Sequence, residues 1–343
     1  MSEADLLDRA RALHARLPVI DLHSHFLLQR TLFGRRFDER HEPRRLFRPF
    51  ASSIDLPRLR EGGVAAQVFT VYYPGKPLFF KNRAKADRQL DLYDTIIGEC
   101  QGAVAPCTSV ADFQAARAEG RFASFVALEG CHHLDGDVDA LDHFFARGVR
   151  IAQPAHFVAT DVADSAQSPY RPHRGLSPLG RRVVERMNRL GMIVDVAHLT
   201  DEGIAHVADV ARAPFVCTHI GVRALCDTPR NLSAAAVDRI AASHGLVGVI
   251  LFPWLLGKGR VTVDTVVDHL AWLADRVGTE HLGLGSDLDG PTWPPQGLRD
   301  VRDFPALTAR MLARGFADDD VARIWGGNFL RVLADVAARA EAA

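Results

Sequence analysis

The chain has 343 residues, 48% hydrophobic and 24% charged, with 41 Lys+Arg against 42 Asp+Glu and a formal net charge of -1. That balance excludes a chain disordered throughout, and it offers no overall basic field for nucleic acid or an anionic membrane, so small molecules are the expected partners. The five cysteines, Cys100, Cys107, Cys131, Cys217 and Cys226, form no C-x-x-C pair, which predicts buried free thiols rather than a disulfide framework or a zinc knuckle.

In chain order, an amphipathic helix is expected over 3–16. Short apolar, β-branched segments then alternate with helix-like ones. Strands are predicted at 19–25, 65–73, 122–130, 149–157, 192–199, 214–220, 246–252 and 281–290, and helices at 82–99, 176–190, 200–211, 233–243, 261–277, 302–315 and 318–337. Thr200 and Ser233 are suited to N-caps and Gly191 to a helix stop. Eight strand–helix units predict an α/β fold closed as a (β/α)8 TIM barrel, one domain over 1–343 with a helical preamble and a C-terminal helical extension. An open doubly wound sheet is the competing arrangement. The longest apolar run, 246–256, is far short of the roughly 20 residues that cross a bilayer, and the N-terminal residues lack the apolar core of a signal peptide, so a cytoplasmic location is expected.

The polar residues favour the barrel, because they fall at the carboxyl ends of the predicted strands, where barrels place their active sites. Strand one ends in His23-Ser-His25, strand three in Glu129 followed by His132 and His133, strand four in His156, strand five in His198, strand six in His219 and strand eight in Asp287-Leu-Asp289. Residues two apart on a strand share a face, so His23 and His25, with Asp21 below them, are expected to point one way. Four or more imidazoles and a carboxylate converging on one mouth supply the nitrogen and oxygen ligands that Zn²⁺ and its neighbours prefer. None of the four lysines (Lys76, Lys81, Lys85, Lys258) ends a predicted strand, so a bridging anion between two ions would have to be a carboxylate, and Glu129 is the natural candidate. Asp287, across the mouth, could move a proton.

These residues resemble the membrane (renal) dipeptidases, peptidase family M19, within the amidohydrolase-like barrels. The resemblance runs through DLHSH at 21–25, DLPRLREGGVAAQVFTVYYP at 55–74, ALEG at 127–130, GVRIAQPAH at 148–156, IVDVAHL at 193–199, CTHIGVRAL at 217–225, PRNLS at 229–233, GLGSDLDG at 283–290 and GGNFLRVL at 326–333. It implies a zinc-dependent dipeptidase that works through a hydroxide activated between two divalent ions. His23 and His25 would hold the first ion, His198 and His219 the second, and Glu129 would bridge. His156 would bind substrate and stabilise the oxyanion, Arg230 would pair with the free carboxylate of the dipeptide, and Asp287 would be the proton shuttle. L-Xaa-D-Xaa dipeptides are implied substrates, and a homodimer is compatible with the resemblance.

Two positions depart from the family pattern. The family carries H-x-D on strand one where this chain has H-x-H, so His25 replaces an anionic ligand with a neutral one, and Phe252 stands where a tyrosine is usual. The window 30–48 adds seven arginines against three acids, read either as a solvated face or as a selector of acidic dipeptide side chains. The competing functions are another metal hydrolase on the same barrel (an amidase, a lactonase or a TatD-like nuclease) and a non-catalytic binding protein.

Overall fold

The computed structural model describes residues 1–42, 52–73 and 82–340. Nine strands appear in it: β1 (Ile20–Ser24), β2 (Ala66–Val71), β3 (Val104–Pro106), β4 (Phe122–Glu129), β5 (Val149–Gln153), β6 (Ile193–Val194), β7 (Cys217–Ile220), β8 (Val247–Val249) and β9 (Leu282–Leu284). Eight coincide with the predicted strands. The ninth, β3, pairs with residues 122–124 of β4 on the edge that β5 occupies from residue 126 onward, so it fills a gap beneath β5 rather than adding a stave.

All pairings are parallel, in two arcs: β1-β2-β4-β5-β6 and β7-β8-β9. Two single bridges close the arcs into a ring. Asp195 pairs with Val216 between β6 and β7, and Ser24 pairs with Leu288 between β1 and the segment after β9. The β6–β7 seam carries Val196 N–H to Val216 O (2.7 Å) and Val216 N–H to Val194 O (2.9 Å). The β9–β1 seam carries His25 N–H to Leu288 O and Asp287 N–H to His23 O, both 2.9 Å. The fold is therefore the expected eight-stave α/β barrel.

Leu22, Val68, Ala127, Ile151 and Ile193, from five successive staves, join one fully buried cluster, into which Phe329, Val332 and Leu333 also pack. A second, larger cluster lies between staves and helices. The strands read as continuous apolar runs because both of their faces are covered. Thr200 and Ser233 cap their helices as expected, accepting from Gly203 N–H and Ala236 N–H, and Gly191 ends its helix at φ +73°.

One expected element breaks. In place of a continuous helix over 318–337 there are Asp318–Ala322, a wide turn at Arg323–Gly327 and Asn328–Ala338. The backbone at Gly326 passes so close to β1's approach that a Cβ there would lie 2.0 Å from Pro18 O, a contact only glycine permits. All five cysteines are buried and free. No helix of the described residues is long and apolar enough to cross a membrane.

Candidate active site

The carboxyl ends of the staves bring seven of the eight predicted site residues into one cluster around Glu129, which is 1% exposed at the end of β4. Its Oε1 lies 3.3 Å from His198 Nε2, 3.4 Å from His156 Nε2, 3.5 Å from His23 Nε2 and 3.8 Å from His219 Nε2, and its Oε2 lies 3.5 Å from His25 Nε2. Asp287 Oδ1 reaches His25 Nε2 at 3.0 Å and His23 Nε2 at 3.8 Å. Two groups have the compactness of a metal site, His23–His25–Glu129 and Glu129–His156–His198, and they share the carboxylate.

The backbone is distorted where it presents these groups. His198 and Asp287 adopt φ +69° and +57°, left-handed conformations that non-glycine residues rarely take and that cluster at functional sites. His25 leaves the strand altogether, as the N-cap of the helix Phe26–Phe33. The register slips between Asp21 and Ser24, and Asp21 does not join the cluster: its carboxylate accepts from Ser286 N–H (2.7 Å), Ser286 Oγ–H (2.6 Å) and Gln67 Nε2–H (3.1 Å), pinning the strand instead.

Hydrogen bonds behind the rings set which nitrogen faces inward. Gln167 Oε1 accepts from His198 Nδ1 at 2.6 Å. Thr218 Oγ1 donates to Asp195 Oδ2 at 2.5 Å, so it accepts from His219 Nδ1 at 2.9 Å. With both Nδ1 atoms protonated, both Nε2 atoms present lone pairs, and they face each other at 3.1 Å. Two acceptors at that distance need a proton or a metal cation between them. His23 and His25 repeat the pattern, Nε2 to Nε2, at 3.3 Å. A tetrahedral ion with metal–nitrogen bonds near 2.05 Å has a ligand–ligand edge of about 3.3 Å, so the donor set fits a divalent ion without rearrangement.

The electrostatics agree. Burial pushes His156 down to about 4 and holds His198 and His219 well below the ordinary histidine range, so these imidazoles stay neutral at pH 7 and keep their lone pairs. Burial opposes the charge on Glu129, but His156, His23 and His25 outweigh it and hold the carboxyl well below its usual value. Glu129 Oε2 and His25 Nδ1 have no hydrogen-bond partner.

Arg230, the eighth predicted residue, stands beside the cluster. It is 5% exposed, donates from Nη2 to His219 O at 3.2 Å, and leaves Nη1 buried without a partner. A buried guanidinium with a free donor is a site prepared for an anion.

Where it is described, the arginine-rich window is engaged largely by neighbouring groups, although Arg35 stands close enough for its charge to act on Asp289. Arg30 and Arg36 pair with Glu99, at the far end of the helix Arg83–Glu99, Arg36 also pairs with Asp38, and Arg40 pairs with Glu61. Arg35 donates to Gln29 Oε1 at 2.9 Å. Arg44, Arg45 and Arg48 lie outside the described residues. His132 and His133 turn away in a short 3-10 turn, engaging Tyr73 O and Gly130 O. Asp289 accepts from Ser53 N–H at 2.6 Å, and burial raises its carboxyl to about 7.

Several residues at the site had not been singled out. Tyr72, just past β2, sets its ring edge-on to His25 (5.6 Å) and His156 (4.6 Å). Burial, reinforced by Glu129 and Asp287, raises its phenol, which therefore stays protonated. Phe157 touches His156 (4.1 Å between centroids) and His198 (5.9 Å) while remaining 45% exposed. Their positions just past the ends of β2 and β5 were the available signal. Gln167 arrives from an irregular loop and gave none.

A family model described as membrane dipeptidase (Peptidase family M19) matches residues 7–343. The chain is 33% identical over 317 residues to dipeptidase tcpJ of Claviceps purpurea, covering 90% of this chain and 74% of that protein. Among solved structures, a metallopeptidase from Rhodobacter sphaeroides liganded with a phosphinate mimic of the dipeptide L-Ala-D-Ala superposes with TM-score 0.83 at 27% identity, over 93% of this chain and 99% of that one. The probable dipeptidase PvdM from Pseudomonas aeruginosa shares the fold at TM-score 0.90 and 24% identity, over 98% and 100% of the two chains. The chain belongs to the membrane dipeptidase family, peptidase family M19, and is a hydrolase of peptide bonds.

Proposed function

We propose that the chain is a zinc-dependent dipeptidase with two ions, one held by His23, His25 and Glu129, the other by Glu129, His198 and His219. The observation that carries this reading is the pair of facing Nε2 contacts at 3.3 and 3.1 Å on either side of one buried carboxylate. Bound there, divalent ions would polarise the scissile carbonyl and lower the pKa of water.

The chain's own groups divide the remaining work. Arg230 receives the C-terminal carboxylate on its free Nη1, which confines the substrate to a peptide whose carboxylate lies one residue from the scissile bond. His156, neutral and 3.4 Å from Glu129, stands where it can hydrogen-bond the developing oxyanion. Asp287, at the mouth and more exposed than Glu129, takes up a proton and returns it to the leaving amine.

The described arginines lend no support to an acidic preference. Phe157 beside His156 and His198, with Trp254 (69% exposed) tilted against Phe252 and Trp293 edge-on to it beyond β8 and β9, supports apolar side chains instead.

The test is amino-acid release from L-L, L-D and acidic dipeptides by zinc-loaded protein, with Glu129→Gln alongside. Turnover that the variant loses is expected. Silence across the panel in protein holding two metals per chain would favour an amidase or lactonase on the same site.

A further inference from the structure

Gln153, the last residue of β5, is completely buried, and neither its Oε1 nor its Nε2 has a hydrogen-bond partner. An amide in that state forfeits the desolvation cost of both polar atoms, a penalty that native interiors rarely leave unanswered. Its place in the sheet shows what answers it. Gln153 is the register partner of Glu129 across the β4–β5 ladder, in the same series as Ala127 with Ile151, whose side chains fill the barrel. Partners on adjacent parallel strands leave the same face of the sheet about 4.8 Å apart, so the amide rises beside the central carboxylate.

The neighbour on the other side is closed to it. Asp195 continues β6 and already accepts from Ala197 N–H and Thr218 N–H on Oδ1 and from Thr218 Oγ1–H on Oδ2. Glu129 Oε2, by contrast, is a buried acceptor with no donor. A free donor and a free acceptor therefore stand side by side, one on each of two adjoining staves.

We propose that Gln153 is a positioning residue for the metal centre, its Nε2–H group reaching Glu129 Oε2 through one enclosed water, so that the carboxylate is held in the plane a bridge between two ions would require. This rests on the two-ion reading above. The amide makes no contact with substrate in this role and acts only through Glu129.

Replacing Gln153 with Leu separates positioning from simple structure, because loss of positioning shows in metal affinity and loss of structure in the melting temperature. An apolar side chain of similar size removes a buried amide but leaves the Glu129 side of the contact unpaired, so the fold is expected to survive with little change in stability. Loss of a group that orients a ligand typically weakens metal binding 10- to 100-fold.

The expected result is a Q153L apoprotein that folds and melts close to the wild-type temperature, binds Zn²⁺ about 10- to 100-fold more weakly in a chelator competition, and shows an altered visible spectrum with Co²⁺. Q153N, which keeps an amide, recovers part of the affinity. If Q153L fails to fold, Q153M carries the same titration. Zinc affinity in a folded apolar variant within twofold of wild type overturns the proposal while leaving the dipeptidase reading intact. A wild-type chain that binds no zinc overturns both.

Discussion

Behind the rings of His198 and His219 stand Gln167, at 2.6 Å, and the Thr218–Asp195 pair, at 2.9 and 2.5 Å; among the described residues His25 Nδ1 has no hydrogen-bond partner, and His23 Nδ1 has Thr70 at 3.4 Å. The half of the cluster on β6 and β7 thus has its imidazoles fixed in tautomer and orientation before any ion arrives. The half on β1 does not. Buttressed ligands lose little freedom on binding, so the β6–β7 half should bind its ion first and release it last.

The strongest way to break this contrast is to remove what the halves share. Glu129→Gln should abolish binding of both ions and lower kcat/KM by more than about 100-fold, beyond what changes outside the ligand set cost; metal analysis that still finds two ions per chain would dissolve the distinction. Thr218→Val removes the buttress of one half alone, and about a 10- to 100-fold loss of affinity is expected at one ion only, resolved as two separate phases in a zinc titration. Equal weakening of both phases would mean that the halves are not independent.

Acid should also part them. Burial opposes the imidazolium of His25, but Glu129 and Asp287 outweigh it and raise its pKa, whereas burial lowers those of His198 and His219. Protons therefore compete for His25 at higher pH than for the other pair, and lowering the pH from 7 towards 5 should remove one ion while the other stays. Loss of both at a single pH contradicts the assignment. A charge change sharpens the comparison further: His25→Asp should shift the β1 half from Zn²⁺ towards Mn²⁺, since carboxylates suit the harder ion, and competition between the two metals would register it.

The smallest effect concerns substrate rather than metal. Phe157→Ala should lower kcat/KM for dipeptides with aromatic side chains about 10-fold relative to alanyl ones, and an unchanged ratio would remove Phe157 from the subsite.

The barrel and its mouth were legible in the sequence because each stave is a short apolar run ending in a polar side chain, a signature carried by one segment at a time. What depends on several segments meeting was not. Residues 104–106 are too short to show a period, and the break at Gly326 lies within an unbroken helical pattern, because its cause is Pro18, about 300 residues away. The spacing of His23 and His25 predicted convergence correctly, but the reason differs: Asp21 is tied to Ser286 and Gln67, and His25 stands at the N-cap position of a helix without a side-chain capping bond. The arginines of 30–48 are conspicuous as a run, and only the fold shows Arg30 and Arg36 spent on Glu99. Nothing in the sequence around Gln153 marks it, because its neighbour Glu129 lies on another stave.

The two seams of the barrel have a mechanical meaning. Each arc is laddered continuously, yet the arcs meet only through single bridges, at β6–β7 and at β9–β1. His198 and His219 face each other across the first seam, and His25 meets Asp287 across the second. An ion held between His198 and His219, as proposed, would be a rivet through a thin join in the wall, and stripping it would loosen the cylinder along that line before any helix melts. Amide exchange at Val196 and Val216, whose N–H groups stitch this seam, would then quicken in the apoprotein well ahead of exchange at the β2–β4 ladder.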